Sequence, residues 1–300
     1  KLASPLLMRA CECAAKIREC HAHASDLSGG FSSRLAVLAA KVKAANDAIA
    51  AAANAKPRPP GSILYNPPAL SGEEEAEVDD ALGGGSANEK LAEFENIPVH
   101  RSDMRTIRGS NWLNDEVINF FMKLLAAREG DKPDTLPKCY FTQTNFYTKL
   151  AEGPRGYCYK DVRRWTKKVD VFTKDLVIVP VHCHGNHWTL AVINFRDKRF
   201  EYYDSLRGAG GTYLSNLRRW LGEEHKDKKG GAEYDTSEWK DVTWKQGETP
   251  QQMNGSDCGV FMTRTADYLS RDAQLDFRQE DMQYWRRRMV LEIVTQQLMP

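Results

Sequence analysis

The sequence has no apolar run long enough to cross a bilayer. Its longest runs, such as Leu176–Val181, fall far short of the roughly 20 residues a spanning helix needs. It has almost no net charge: 42 Lys and Arg stand against 41 Asp and Glu, which leaves +1 and no global pull toward nucleic acid or an anionic membrane. It lacks a secretory signal, because Arg9 interrupts Leu6, Leu7 and Met8 at once. It starts at Lys1 without a methionine, so a fragment is expected, with a targeting segment free to lie upstream. It also lacks an even, regularly spaced cysteine set. The seven cysteines, at 11, 13, 20, 139, 158, 183 and 258, point to a reducing, intracellular setting, nuclear or cytoplasmic, where a free thiol is available for chemistry. There is no internal repeat. Finally, aromatic residues are scarce at the front: only Phe31, Tyr65 and Phe94 precede residue 95.

That last scarcity divides the chain. Residues 1–55 are alanine-rich, and Leu35, Leu38, Val42, Ala45 and Ile49 fall near one helical face. One or two helices are expected, broken at "DLSGG" (26–30), with too few large apolar residues for a separate core. Residues 56–94 turn proline-rich, then acidic, then glycine-rich, the composition of a flexible linker. Residues 95–300 have globular composition.

In that region "NWLNDEVINFFMKLLAAREG" (111–130) predicts a helix capped by Asn114, with Asp115 and Glu116 in its first turn and Leu113, Val117, Phe120, Phe121 and Leu124 facing the core. Strands are predicted at 175–182, 187–195 and 199–206, the last two as a hairpin. Further helices are predicted at 211–224, 258–270 and 280–298. Strands in the middle with helices before and after predict an α+β fold.

Cys258, in "QQMNGSDCGVF", poses the chemical question. A buried structural cysteine is the ordinary outcome, so a nucleophile must be argued from partners. Cys258 opens a predicted helix, and helix N-termini favour the thiolate. Asp257 beside it works the other way by charge unless it is paired or points elsewhere. Gly259 leaves the backbone uncrowded, as suits close approach of a substrate. Among seven histidines His187 is the best base, since it opens a strand behind a polar turn. Asp204, on the returning strand, can orient it, although the turn residues leave the register open. Gln252 can offer a side-chain amide, and the Cys258 N–H a second donor, to a developing oxyanion.

Together "HW" (187–188), "YYDS" (202–205) and "QQMNGSDCG" (251–259) resemble the Ulp/SENP family of SUMO-specific cysteine proteases over residues ~95–300. The resemblance implies a papain-like core, with a central mixed or antiparallel sheet flanked by helices. It implies His187 as base and acid, Asp204 as its orienter, Cys258 as nucleophile and Gln252 as oxyanion donor. Trp112 and Trp188 would sandwich the Gly-Gly tail of the modifier, and Asp115 would contact the modifier. Met253 stands where some members have proline. SUMO or SUMO-conjugated proteins are the implied partners, and no metal, cofactor, nucleic acid or membrane is required of a monomer of this kind. A protease for another ubiquitin-like modifier, an acyltransferase on the same core, and an inactive modifier-binding module are the alternatives.

Other motifs have plainer readings. "SILYN" (62–66), followed by acids, faintly resembles a SUMO-interacting motif, a pattern too short to carry weight. In "HCHGNH" (182–187) strand alternation turns His182 and His184 away from Cys183, against a zinc site. "CEC" and "CHAH" (11–13, 20–23) space their ligands poorly for one helix face. The basic runs "RRWTKK" (163–168) and "WRRR" (285–288) are expected as solvated faces, either of which could hold an acidic surface of the modifier.

Overall fold

The computed structural model describes residues 69–131, 135–244 and 247–299. The expected N-terminal helical extension, "SILYN" and the first three cysteines lie outside them. Among the described residues, five longer helices and seven strands carry the architecture: α1 (Gly72–Leu82), β1 (Lys90–Phe94), β2 (Ile97–His100), α2 (Asp115–Asp131), β3 (Cys139–Phe141), β4 (Leu176–Cys183), β5 (His187–Asn194), β6 (Arg199–Tyr203), α3 (Gly211–Lys228), β7 (Lys240–Thr243), α4 (Cys258–Leu269) and α5 (Met282–Thr295).

β3 to β7 form one sheet in sequence order, β3 parallel to β4, β4–β5–β6 antiparallel, and β7 parallel to β6. The α+β expectation holds, with a mixed sheet covered on both faces. Strand alternation divides its side chains: Ile178, Leu190 and Val192 face α2, α4 and α5, whereas Val177, Val179, Ala191 and Ile193 face α3. Because both faces are buried, "LVIVPVHC" reads as a continuous apolar run rather than an alternating one. α4 lies against β5 and is buried along its length, from Cys258 to Tyr268.

The expected linker needs correction from residue 72 onward. α1 begins with a capping box: the Glu74 N–H donates to Ser71 Oγ, and the Ser71 N–H to Glu74 Oε2. Val78 and Ala81 are buried, Arg287 on α5 donates to Glu75 and Asp79, and Arg101 donates to the last carbonyls of α1. β1 then pairs with β2 in a hairpin. The acidic run is therefore the first turn and exposed face of a docked helix, where its charge complements the helix N-terminus.

Candidate active site

Two sequence-distant groups of residues meet at one end of the sheet. The first group is built by the β-hairpins. Cys183 pairs with His187 across a short turn in which His184 and Gly185 adopt positive φ, so His187 sits at the mouth of the β4–β5 hairpin. β5 and β6 pair from Asn194–Arg199 to Leu190–Tyr203 and then part. Continuing that register would put Leu206, not Asp204, opposite His187. Asp204 instead lies just beyond the strand, where the chain turns, and its carboxylate reaches back.

His187 Nε2 and Asp204 Oδ1 are 2.6 Å apart. The backbone N–H of Leu206 also donates to Oδ1 and that of Gly208 to Oδ2, at 2.7 and 2.8 Å. A Cβ at Gly208 would collide with Oδ2, so glycine allows this close wrap. Burial opposes ionisation of Asp204, but the His187 hydrogen bond and the two N–H donors outweigh it and hold the carboxylate below its ordinary range. Burial likewise disfavours the imidazolium of His187. The hydrogen bond with Asp204 and the neighbouring Cys258 thiol overcome that penalty and raise its pKa from 6.5 to about 10. With Nε2 committed to Asp204, Nδ1 is left for the thiol.

The second group is built by the loop before α4. Cys258 is the first residue of that helix and only 3% exposed. Asn254 shapes the approach: its Oδ1 accepts from the N–H groups of Ser256 and Asp257, and its Nδ2 donates to Asp257 Oδ2. Asp257 points away from the thiol into a buried pair with Arg286, which donates to Oδ1 from Nε and Nη2 at 3.0 and 2.7 Å. Gln279 Nε2 donates to the other oxygen. Gln252 is buried, its Oε1 accepting from Ser205 Oγ at 2.6 Å and its Nε2 donating to the Asn254 carbonyl. One N–H of that amide is thus left over for another acceptor. Gly259 differs from expectation, since a Cβ there would press on the Leu113 side chain at 3.0 Å. Its smallness serves packing of Leu113, just ahead of α2, against α4 rather than access for substrate.

The three remaining predicted residues lie around these groups. Trp112 is 49% exposed and donates from Nε1 to the Gly255 carbonyl. Trp188 is 3% exposed, donates to the Leu113 carbonyl, and stacks on His182 at 4.0 Å. Asp115 is exposed in the first turn of α2, whose cap Asn114 accepts from the Val117 N–H. The other residues of "HCHGNH" have separate partners: His182 the Trp188 ring, Cys183 the hydroxyls of Thr189 and Tyr202.

Two further residues that shape the site are not apparent from the sequence motifs. Ser205, which orients Gln252, lies inside "YYDS" but has no evident partner in the sequence. Arg286 belongs to "WRRR", expected as a solvated face. Instead Arg286 and Arg288 are buried, and Arg286 also donates to the carbonyls of Ile107, Asn111 and Ser256. The helical spacing of 285–288 permits burial of 286, but its acidic partner is invisible without the fold.

The model of the Ulp1 protease family, C-terminal catalytic domain, matches residues 111–298. Sentrin-specific protease 2 of Homo sapiens is 40% identical over 230 residues, covering 77% of this chain and 38% of that protein. Ubiquitin-like-specific protease 1A of Arabidopsis thaliana is 40% identical over 230 residues, covering 75% of this chain and 45% of its own. The chain therefore spans less than half the length of these two relatives. Among solved structures, the C-terminal Ulp1 protease domain in complex with Smt3, the yeast orthologue of SUMO, is 29% identical with a TM-score of 0.63, covering 76% of this chain and 96% of that one. The Chaetomium thermophilum Ulp1-like SUMO protease catalytic domain is 26% identical with a TM-score of 0.63, covering 77% and 92%.

Proposed function

The chain belongs to the Ulp1 protease family, and on that premise we propose that it is a cysteine protease that cleaves after the C-terminal Gly-Gly of SUMO. It would act on the precursor, on the isopeptide bond to a substrate lysine, or on both. The observation that carries the proposal is the convergence on His187 of the Asp204 carboxylate and the Cys258 thiol at the start of α4.

In this reading His187, protonated, is the counter-ion of a Cys258 thiolate. The sulfur attacks the glycine carbonyl carbon, and the oxygen takes the negative charge. The Cys258 N–H and the spare N–H of Gln252 stabilise that oxygen. As the tetrahedral intermediate collapses, the C–N bond breaks and His187 gives its proton to the leaving amine. Water, deprotonated by His187, then attacks the thioester and releases the carboxylate, returning the sulfur and the imidazole proton to their starting state. Asp204 keeps the ring oriented throughout.

Trp112 supplies the exposed indole over the tail, and Trp188, pinned by the Leu113 carbonyl and His182, supplies the floor. A passage between flat rings admits glycine and rejects residues with a Cβ. Asp115 offers a charge to the modifier at the rim. The protein acts as a monomer inside the cell, in nucleus or cytoplasm, where the thiols that the fold leaves free stay reduced.

Cys258→Ala is the test. It is expected to abolish release of SUMO from a Gly-Gly-linked reporter while retaining SUMO binding, and a SUMO-derived electrophilic probe is expected to label wild-type protein at Cys258. Turnover by the alanine variant would overturn the assignment. Labelling by a ubiquitin probe in preference to a SUMO probe would move the substrate to another modifier.

A further inference from the structure

The basic run "RRWTKK" takes no part in the cleft. Its two inward residues anchor it: Trp165 packs on Phe146, and Thr166 Oγ1 donates to buried Glu224 on α3. The four cations between and beside them, Arg163, Arg164, Lys167 and Lys168, are exposed. The last turn of α3 adds Lys228 and, just past it, Lys229. Lys167, Lys168, Lys228 and Lys229 line a cavity of about 340 Å³, together with Phe172 and the acids Asp170 and Glu224.

The nearby acids do not balance this charge. Asp227 accepts from Arg163, with Nη2 and Oδ1 2.7 Å apart, and from the Tyr159 hydroxyl, and lies 3.9 Å from Lys228 Nζ. Asp170 pairs with Lys229. Glu224 is buried beneath the hydroxyls of Tyr159 and Thr166. Six cations thus face three acids, each already engaged, and among the described residues Arg164, Lys167 and Lys168 have no acidic partner. A helix C-terminus carries only about half a negative charge, too little to account for the excess.

The location says what the face is for. Phe172 packs on Phe195, one residue past the end of β5, and His187 begins that strand. Eight residues at about 3.3 Å each put the basic face about 25 Å from the candidate site. It therefore lies away from the cleft rather than beside it, contrary to a role in gripping the modifier at the tail.

We propose that this face is a docking site for an acid-rich, extended polypeptide segment. Acidic side chains would meet Arg164, Lys167 and Lys168, and one carboxylate would enter the lysine-lined cavity. That the segment belongs to the protein from which the tail is cut rests on the protease reading above; that the face binds acidic polypeptide does not. Tethering at a second point raises the effective concentration of the scissile bond, so the gain would fall on KM and weaken with salt, leaving kcat alone.

The test is fluorescence anisotropy with a labelled deca-glutamate peptide, a neutral Gly-Ser peptide of equal length and a deca-thymidylate strand. Wild-type protein is expected to bind deca-glutamate, more weakly as salt rises, and to ignore the neutral peptide. The variant Arg164→Gln/Lys167→Gln/Lys168→Gln is expected to bind roughly tenfold more weakly. Its far-ultraviolet circular dichroism is expected to be unchanged, since all three side chains are exposed. Equal binding by the variant, or no binding by wild type at low salt, overturns the proposal. Binding of deca-thymidylate without deca-glutamate overturns it in favour of a nucleic-acid face. None of these readouts requires turnover, so they stand apart from the Cys258→Ala result.

Discussion

The strand side and the helix side of the cleft are built on opposite principles. On the strand side, His187 and Asp204 are 17 residues apart, and the N–H groups that finish the carboxylate's hydrogen bonding come from two and four residues further on. Everything there is closed by a short hairpin at little entropic cost. On the helix side, one guanidinium joins segments far apart in the chain. Arg286 bonds to Asp257 across 29 residues, and to Asn111 and Ile107 across 175 and 179. It thereby ties the loop leading to Trp112 to the loop leading to Cys258. The proposed base is positioned by local geometry, and the proposed nucleophile by a buried ion pair that Asn254 and Gln279 complete.

Breaking that ion pair is expected to have the largest effect. Arg286→Met strands a buried carboxylate and three carbonyls, and is expected to cost about 3–5 kcal/mol by urea denaturation. Asp257→Leu added to it should recover part of the loss. A cost below about 1 kcal/mol would mean the helix side does not hang on this residue. Next, Gln252→Ala removes the proposed side-chain oxyanion donor and is expected to lower kcat about a hundredfold with KM little changed. A change confined to KM would assign the amide to substrate binding instead. Smaller again is Ser205→Ala, which takes away the side-chain bond joining Gln252 to the strand side. About 1 kcal/mol, or roughly fivefold in kcat, is expected, and no change would leave the backbone bond from the Gln252 N–H to the Ser205 carbonyl as the link that matters.

The gentlest probe is pH. His187 keeps its proton to about pH 10 when folded, against 6.5 as its ordinary value. Its share of stability is complete below about 6.5 and is lost as pH rises toward 10. Asp204, held below its ordinary 3.8, contributes above that value and loses its share as pH falls further. The pair is therefore fully stabilising between these limits. The alkaline limb of kcat/KM is expected near pH 10, moving toward neutrality in Asp204→Asn. A wild-type limb at about pH 7 would show that Asp204 does not govern the ring.

Legibility follows the same division. The helix that Asn114 caps, the strand pair 187–203 and the helix opening at Cys258 are readable because apolar periodicity and caps are local. The register of β5 on β6 is not, and the actual offset leaves Asp204 beyond the ladder rather than within it. α1 reads as linker although Ser71 and Glu74 spell a capping box, because an acidic run with few apolar residues does not reveal the arginine that docks it. Gly259 reads as clearance for substrate, yet its neighbour is Leu113, far earlier in a chain whose folding alone brings them together.

By itself the sequence singled out candidates with suitable chemistry: a thiol at a helix start, an imidazole at a strand start, a carboxylate near the end of the returning strand and an amide before the thiol. It could do so because residue type, capping and periodicity act over a few positions. Only the tertiary structure decided where Asp257 points. Its charge, which alone would oppose a thiolate at the next residue, is turned onto Arg286, because a buried carboxylate is stable only where a buried cation and further donors meet it.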